Sequence, residues 1–438
     1  MNIVRLHSAL FAGSASFAVA IAAVACSSTD DRPRFDDPLD AASDAPNLPE
    51  TSPPLDGAVD ARPPFDPTDE PVTCSVTPCA TELAAGKDHF CARMSDGTAR
   101  CWGNAEMGAT GAGELDKDDT GGPPTVVAGL SGVTQISAAE QTSCARLDDS
   151  TIHCWGANEH GQLGLSADPP VVDDMPHPAP ERVDILGAAS RVDVGVRGAC
   201  AVLASGEAWC WGANDRLQLA RTSDDVVAGP APAGANGLVI TRTGMTSITG
   251  FGLTADNRLL GWGAISGREG SLDPDPTPFP LPSLHDVTAF AASATHVCAI
   301  ANGAGYCWGS NRSSSLCSGL PDHALLPSPT STKGSAYPQR IAVSERTTCV
   351  RMTDGTVQCC GDDTFGQLGS GKSGGVAPVF VRATAFKKRA VQIVTSSSTT
   401  CALVDDGSVE CWGGNAHGEL GQGTRDDDSH PTPMRVAF

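Results

Sequence analysis

Aromatic side chains are scarce in this sequence: they make up 5% of its 438 residues, and two of them are tyrosines. A face of grouped rings for stacking sugars has little to draw on, which weighs against a glycan-binding surface. Positive charge is short as well, with 29 Lys and Arg against 51 Asp and Glu and a formal net charge of −22. A chain this acidic repels phosphate backbones, and its basic run, Lys387-Lys388-Arg389, has the size of a solvated strand edge. The apolar stretch from Ala9 to Val24 is 16 residues, too short to cross a bilayer as a helix. The cysteine pairs lack C-x-x-C spacing, which excludes the common zinc arrangements. No Gly-Lys-Ser or Gly-Lys-Thr joins a strand to a helix, so the Gly-x-x-Gly strings read as turns and not as a phosphate loop.

What is abundant is glycine (48) and proline (32), as short strands joined by many turns require. The first 25 residues have the form of an export signal: one Arg, an Ala-rich apolar segment, then small residues. Ala23-Val24-Ala25-Cys26 resembles a bacterial lipobox, with Ala23 where Leu is usual. That resemblance implies a lipidated Cys26 as the mature N-terminus. Ser28, where an acidic residue would retain the protein at the inner membrane, implies onward transport to the outer membrane. Cleavage by general signal peptidase, with Cys26 incidental, is the alternative. Residues 26–72 are rich in Pro, Asp and Ala and hold too little apolar surface to offset ordering entropy, so they are expected to be a disordered tether. Residues 73–438 are expected to be the folded domain, with no second one beside it.

Within 73–438 one hairpin pattern recurs seven times. Six copies carry a cysteine on each arm: Cys91 with Cys101, Cys144 with Cys154, Cys200 with Cys210, Cys298 with Cys307, Cys349 with Cys359 and Cys401 with Cys411. Five of these continue into Trp-Gly, at Trp102, Trp155, Trp211, Trp308 and Trp412; the sixth has Cys360-Gly361 there, and a cysteine-free copy keeps Trp262-Gly263. Successive Trp positions, with Cys360 in the sixth place, are 53, 56, 51, 46, 52 and 52 residues apart. Seven copies at this period predict a closed repeat architecture.

Five cysteine pairs are ten residues apart, so opposed cysteines leave a three-residue loop, four times with Gly in the third place. Cys298 and Cys307 are nine apart, and their midpoint falls on Asn302-Gly303, the strongest two-residue hairpin signal. Spacing and turn chemistry change together. Both arms are therefore strands, and the cysteines face each other as disulfides, each adding roughly 2–3 kcal/mol in the loop-entropy model. Phe251 and Gly261 take these places in the copy without cysteines. Cys74 and Cys79 can close a small loop before the first repeat. Cys317 and Cys360 are left over, either bridging neighbouring repeats or remaining buried thiols.

After Trp-Gly comes a polar turn and often Gly-Gln-Leu-Gly, clearest in Trp155-Gly156-Ala157-Asn158-Glu159-His160-Gly161-Gln162-Leu163-Gly164. Together with Ala85-Gly86-Lys87-Asp88-His89-Phe90-Cys91-Ala92, this resembles the regulator of chromosome condensation (RCC1) repeat, over about residues 80–438. The resemblance implies an all-β, seven-bladed β-propeller, and the cysteine-bearing arms are similar to those of exported bacterial members. Relatives with this fold include a nucleotide-exchange factor and a secreted inhibitor of β-lactamase, but the residues matched here are framework ones. The last strand, Pro431 to Phe438, is expected to join the first blade and close the ring.

Chemistry-bearing patterns are few. Gly371-Lys372-Ser373-Gly374-Gly375 fits a nucleophile elbow but sits in a Gly/Ser loop. Asp116, Asp118 and Asp119, and Asp426 to Asp428, read as solvated acidic loops. His89 and His296 hold the same repeat position and read as packing residues; Asn158, Asn214, Asn311 and Asn415 read as turn residues. No catalytic residue, metal or cofactor is expected. The copies differ in six connectors, 109–125, 166–182, 221–236, 267–283, 312–338 and 372–376, expected to cluster on one rim as the binding surface. The expected function is a non-catalytic scaffold, lipid-anchored at the cell envelope and offering these loops to an envelope or extracellular protein. A glycan or matrix adhesin, or a propeller hydrolase or lyase, is the alternative.

Overall fold

The computed structural model describes residues 68, 70–115, 121–222, 225–235, 237–264 and 273–438. The export signal, Cys26 and all of the expected tether but Thr68 and residues 70–72 lie outside the described residues. Among the described residues, seven four-stranded antiparallel sheets follow one another, each built from consecutive strands. Blade 1 comprises Ala80–Ala85, His89–Met94, Ala99–Gly103 and Thr125–Val126. The later blades open with Val133–Ala139, Ala189–Val194, Ile240–Met245, Val287–Ala292, Pro338–Val343 and Ala390–Thr395. These first strands neighbour one another in turn, and the seventh returns to the first. The ring is a seven-bladed β-propeller, as expected.

The hairpin logic holds in detail. Each hairpin cysteine lies directly opposite its mate in the register of the second and third strands. The structure joins Cys91 to Cys101, Cys144 to Cys154, and Cys200 to Cys210. It likewise joins Cys298 to Cys307, Cys349 to Cys359, and Cys401 to Cys411. In all six the Cα atoms are 4.1 Å apart, the close approach of a directly opposed pair. Cys74 is joined to Cys79 ahead of the first strand. Phe251 opposes Gly261 in the remaining blade. The third residue of every three-residue loop has positive φ, as a type I turn with a left-handed end requires: Gly97 at 81°, Ser150 at 67°, Asn257 at 61°. Asn302 and Gly303 are both at positive φ, the demand of a two-residue hairpin turn.

Two expectations are corrected. The connectors are not plain loops: four of them contain the outer strand of their blade, at His177–Arg182, Val227–Pro232, Asp275–Pro280 and Ala324–Thr330. Their prolines recur at alternate positions, as in His177-Pro178-Ala179-Pro180 and Asp275-Pro276-Thr277-Pro278. On an edge strand every second N–H points to solvent, so Pro costs no ladder bond there and blocks pairing with another chain. The end of the chain, Asp426–Arg435, is the fourth strand of blade 7, paired to Val409–Asn415, and adds no strand to blade 1. The described chain starts each blade at its innermost strand, so repeat and blade boundaries coincide and no strand is shared.

Closure falls to side chains and short backbone contacts. Seven apolar clusters each join two adjacent blades, and the seventh joins blades 7 and 1. In that cluster Leu420 and Val436 pack against Leu83, Phe90 and Trp102. The Ala80 N–H donates to the Gly407 carbonyl (3.1 Å), the counterpart of Val133 to Gly97 (2.8 Å) between blades 1 and 2. Just upstream, Thr73 and Ser75 donate to Asp405 and Asp406. Still earlier, Glu70 pairs with Arg389 and Arg351, and Val72 packs on the closing cluster. The described end of the tether segment thus lies on the propeller.

Candidate functional site

The repeat's signature residues are spent on blade-to-blade contacts. Trp102, Trp155, Trp211, Trp262 and Trp412 each donate their indole N–H, at 2.7–2.9 Å, to a carbonyl of the preceding blade. The acceptor is the second residue of Gly-Gln-Leu-Gly or its equivalent: Glu419, Ala109, Gln162, Gln218 and Gln367. The closing glycine of that tetrapeptide leaves room for the ring: a Cβ on Gly164 or Gly369 would stand 2.8 or 2.7 Å from the indole nitrogen. His89 and His296 are buried and bonded across the blade boundary to Ser143 (2.8 Å) and Thr348 (2.7 Å). Burial lowers their pKa to about 4 and about 3, so both are neutral packing residues.

Asn158, Asn214, Asn311 and Asn415 brace the turn. Each accepts the leucine N–H of Gly-Gln-Leu-Gly or its equivalent, and each donates to a carbonyl of its connector. Blade 6 has Asp363 instead, accepting from Leu368 at 3.0 Å. Burial pushes its carboxyl up to about 6; the Leu368 N–H opposes the rise and Asp362 adds to it. Below pH ~3.8 both folded and unfolded states hold the proton, so no cost arises. As pH climbs toward 6 the unfolded chain ionises first, and stability falls. Asp363→Asn is therefore expected to stabilise the protein at pH 7.5 by about 1–2 kcal/mol, allowing for screening by solvent near the surface. Denaturant unfolding at pH 7.5 and at pH 3.5 checks this: the advantage vanishes at the lower pH.

Cys317 and Cys360, left unassigned by the sequence, are joined across blades 5 and 6. Cys360 occupies the tryptophan position. Cys317 occupies the last position of the tetrapeptide, at φ 54°, where blades 1, 2, 6 and 7 have glycine and blade 3 has Ala220. One indole–glycine contact has been exchanged for one disulfide in the same place.

The connectors lean on the next blade and tile its outer edge. Gly113 donates to Pro178 (2.8 Å), Gly319 donates to Pro378 (2.9 Å), and Ser429 donates to Ser373 (3.0 Å). At blades 5 and 6 this edge is apolar: Leu320 and Leu325 are 65% and 63% exposed, with Leu326, Val376 and Val379 beside them in the same outer strands and connector.

At the hub the sequence's main omission emerges. The seven first strands surround a cavity of about 940 Å³. Each first strand bulges at its second residue, so the third residue points along the hub. In blades 7 and 2 that residue is Gln392 or Gln135, which both accepts from and donates to the backbone of the next blade, at Leu83 and Val192. In blade 1, Glu82 accepts from Ile136 (3.2 Å) and pairs with Arg93 (3.3 Å); burial raises its pKa. Blades 3, 4 and 6 place Arg191, Arg242 and Arg340 there, and blade 5 places Ala289. Arg93 and Arg146 add two more cations to the lining. Lining up the seven first strands on their bulge would have shown this cluster; a search for contiguous basic runs does not.

The remaining patterns carry no catalytic geometry. Gly371 to Gly375 leads into the strand Val376–Arg382, and so does Gly366 to Ser373, whose spacing also fits a phosphate loop. Both readings need a following helix. Asp426 bonds to His430 (2.7 Å) and Asn415 (2.9 Å). Asp116, Asp118 and Asp119 lie outside the described residues. No group of three His, Cys, Asp or Glu among the described residues is placed to hold a metal.

The comparisons agree with this geometry. The model of the regulator of chromosome condensation (RCC1) repeat matches residues 80–109, 133–162, 339–367 and 390–419, the inner hairpins of blades 1, 2, 6 and 7. The ultraviolet-B receptor UVR8 of Arabidopsis thaliana is 27% identical over 364 residues, 80% of each chain. The probable E3 ubiquitin-protein ligase HERC6 of Homo sapiens is 29% identical over 219 residues, 48% of this chain but 20% of that longer protein. Among solved structures, yeast RCC1 (Prp20) in complex with Kap60 superposes with a TM-score of 0.65 at 16% identity, covering 86% of this chain and 90% of that one. Human WBSCR16 does so at 0.61 and 18%, covering 73% and 85%. With four matched repeats, indole-to-carbonyl bonds joining five pairs of adjacent blades and seven blades in a closed ring, the chain carries repeats of the RCC1 type on an RCC1-like propeller fold.

Proposed function

We propose that this protein is a non-catalytic scaffold, exported and anchored at the cell envelope through a lipid on Cys26, that binds another protein on the outer edge of blades 5 and 6. The observation that carries the reading is the set of exposed apolar side chains Leu320, Leu325, Leu326, Val376 and Val379 in the outer strands and connector of two adjacent blades. Exposed apolar side chains gathered in one region of a surface favour partner burial. The motif residues, by contrast, are consumed by the framework. The fold itself is compatible with protein recognition, since the yeast RCC1 propeller was solved bound to Kap60. Five of the seven tryptophans are fully buried in blade interfaces, which leaves the adhesin reading without a ring platform.

The test is capture of envelope and secreted proteins on the oxidised protein, beside a variant carrying Leu320→Asp and Leu325→Asp. A stoichiometric partner retained by the first and lost by the second is the expected result. Equal retention by both removes the rim of blades 5 and 6 as the binding surface. Metabolic labelling with a fatty acid, abolished by Cys26→Ala, tests the anchor separately.

A further inference from the structure

The hub of this propeller carries the wrong charge for the chain it belongs to. Five arginines line the cavity, Arg93, Arg146, Arg191, Arg242 and Arg340, against three carboxylates, Glu70, Glu82 and Asp193. All three carboxylates are already engaged. Glu82 holds Arg93; Asp193 holds Arg191 (2.8 Å) and both the N–H and hydroxyl of Thr243; Glu70, at the mouth, holds Arg351 and Arg389. Arg146 and Arg242 have no carboxylate partner among the described residues, and the buried Arg146 Nε has no hydrogen-bond partner.

The arrangement also gives up cohesion. Arg242 and Ala289 stand where blades 7 and 2 use a glutamine to latch the next blade. Arg242 instead lies over the face of Phe290, its guanidinium carbon 5.4 Å from the ring centre. Phe290 is seated by Gly244, where a Cβ would stand 2.7 Å from the ring. Burial, together with the nearby Arg191 and Arg340, lowers the pKa of Arg242 to about 10, against the opposing pull of Asp193 and Glu82; the group stays charged at neutral pH. Like charges gathered around one cavity, at the expense of blade latches, mark a site organised for a ligand rather than for stability.

We propose that the central cavity binds a small polyanion, bearing carboxylate or phosphate groups, through Arg242 and Arg146. The cavity volume suits a small molecule. Guanidinium groups favour planar and tetrahedral oxyanions alike. The segment Glu70-Pro71-Val72 lines the mouth, so a carboxylate of the chain itself already sits on cations at the entrance. The site is separate from the apolar rim and stands or falls independently of the scaffold reading.

Isothermal titration of the oxidised protein with citrate and, separately, with inorganic pyrophosphate tests it. The expected result is one saturable site for at least one probe, weakening with added salt. Citrate binding tighter than pyrophosphate assigns carboxylate chemistry; the reverse order assigns phosphate. Arg242→Gln and Arg146→Gln, each checked for an unchanged near-ultraviolet circular dichroism spectrum, should weaken binding by roughly tenfold or more. Two variants are used because Arg242 also packs on Phe290 and its loss could disturb the hub. Absence of saturable binding for both probes at millimolar concentration overturns the proposal. So does binding that neither substitution in a folded variant reduces.

Discussion

Replacing Cys317 and Cys360 together by alanine is expected to cost about 4 kcal/mol, more than the loss of any one hairpin disulfide at about 2–3 kcal/mol. The difference comes from loop length. The hairpin bonds span 9 or 10 residues within one blade, whereas this bond spans 43 and ties blade 5 to blade 6. The entropy removed from the unfolded chain grows with the logarithm of that separation. There is a second consequence. At five of the other boundaries a tryptophan fills the space and donates to the preceding blade; here the disulfide fills the space and ties the two blades covalently. Cys317→Gly with Cys360→Trp restores the pattern found in blades 2 and 3, where Gly164 lies against Trp211. It should recover a good part of the loss without any sulfur–sulfur bond. Guanidinium unfolding of the oxidised proteins gives the comparison. A double alanine variant less destabilised than Cys401→Ala combined with Cys411→Ala would contradict the loop-length account.

How much of this was legible beforehand follows from what each residue does. The hairpins were readable because the chemistry is local: cysteine spacing and turn residues vary together within ten residues. Cys298 and Cys307, one residue closer than Cys91 and Cys101, show it best, since the shorter spacing comes with Asn302-Gly303. Asn158 and its counterparts were readable as turn residues for the same reason. The outer strands were not, because Pro-x-Pro looks like loop composition. Only membership of a sheet edge, a tertiary fact, makes proline acceptable there. Ring closure was misplaced because sequence does not reveal which strand of a repeat stands innermost. Once Ala80–Ala85 is seen as the first strand of blade 1, the last strand has no vacancy to fill except in its own blade. The pairing of Cys317 with Cys360 was hidden by their distance in sequence, although each replaces a repeat residue, glycine in one case and tryptophan in the other. The arginines of the hub were missed because they are single residues 45 to 98 positions apart, brought together by the ring.

Because no strand is shared between blades 7 and 1, that boundary is the place where the ring can open, and Trp102→Ala is expected to expose it. Trp102 is fully buried, donates to Glu419 (2.8 Å), stacks near Phe90 and meets Phe438 edge-on at 5.6 Å. Truncating a side chain of this size in a packed interior costs about 3–5 kcal/mol. Trp155→Ala removes an equivalent indole between blades 1 and 2 and should cost a similar amount globally. The two differ in what unfolds locally. Blades 1 and 2 are continuous in the chain and stay together when their packing loosens; blades 7 and 1 are held by side chains and a few backbone bonds, among them those of Thr73, Ser75 and Ala80. Amide hydrogen exchange separates the cases. In Trp102→Ala the N–H groups of Thr73, Ser75 and Ala80, which bond to Asp405, Asp406 and Gly407, should exchange far faster than in Trp155→Ala at matched global stability. Trp102→Phe keeps the ring but leaves the Glu419 carbonyl without its donor, and should cost about 1–2 kcal/mol with a smaller rise in exchange. Equal exchange at those amides in both alanine variants would mean that the chain-end boundary is held as firmly as the others. The weight of closure would then shift from Trp102 to the N-terminal segment around Glu70 and Val72, whose Glu70→Ala variant is the next to measure.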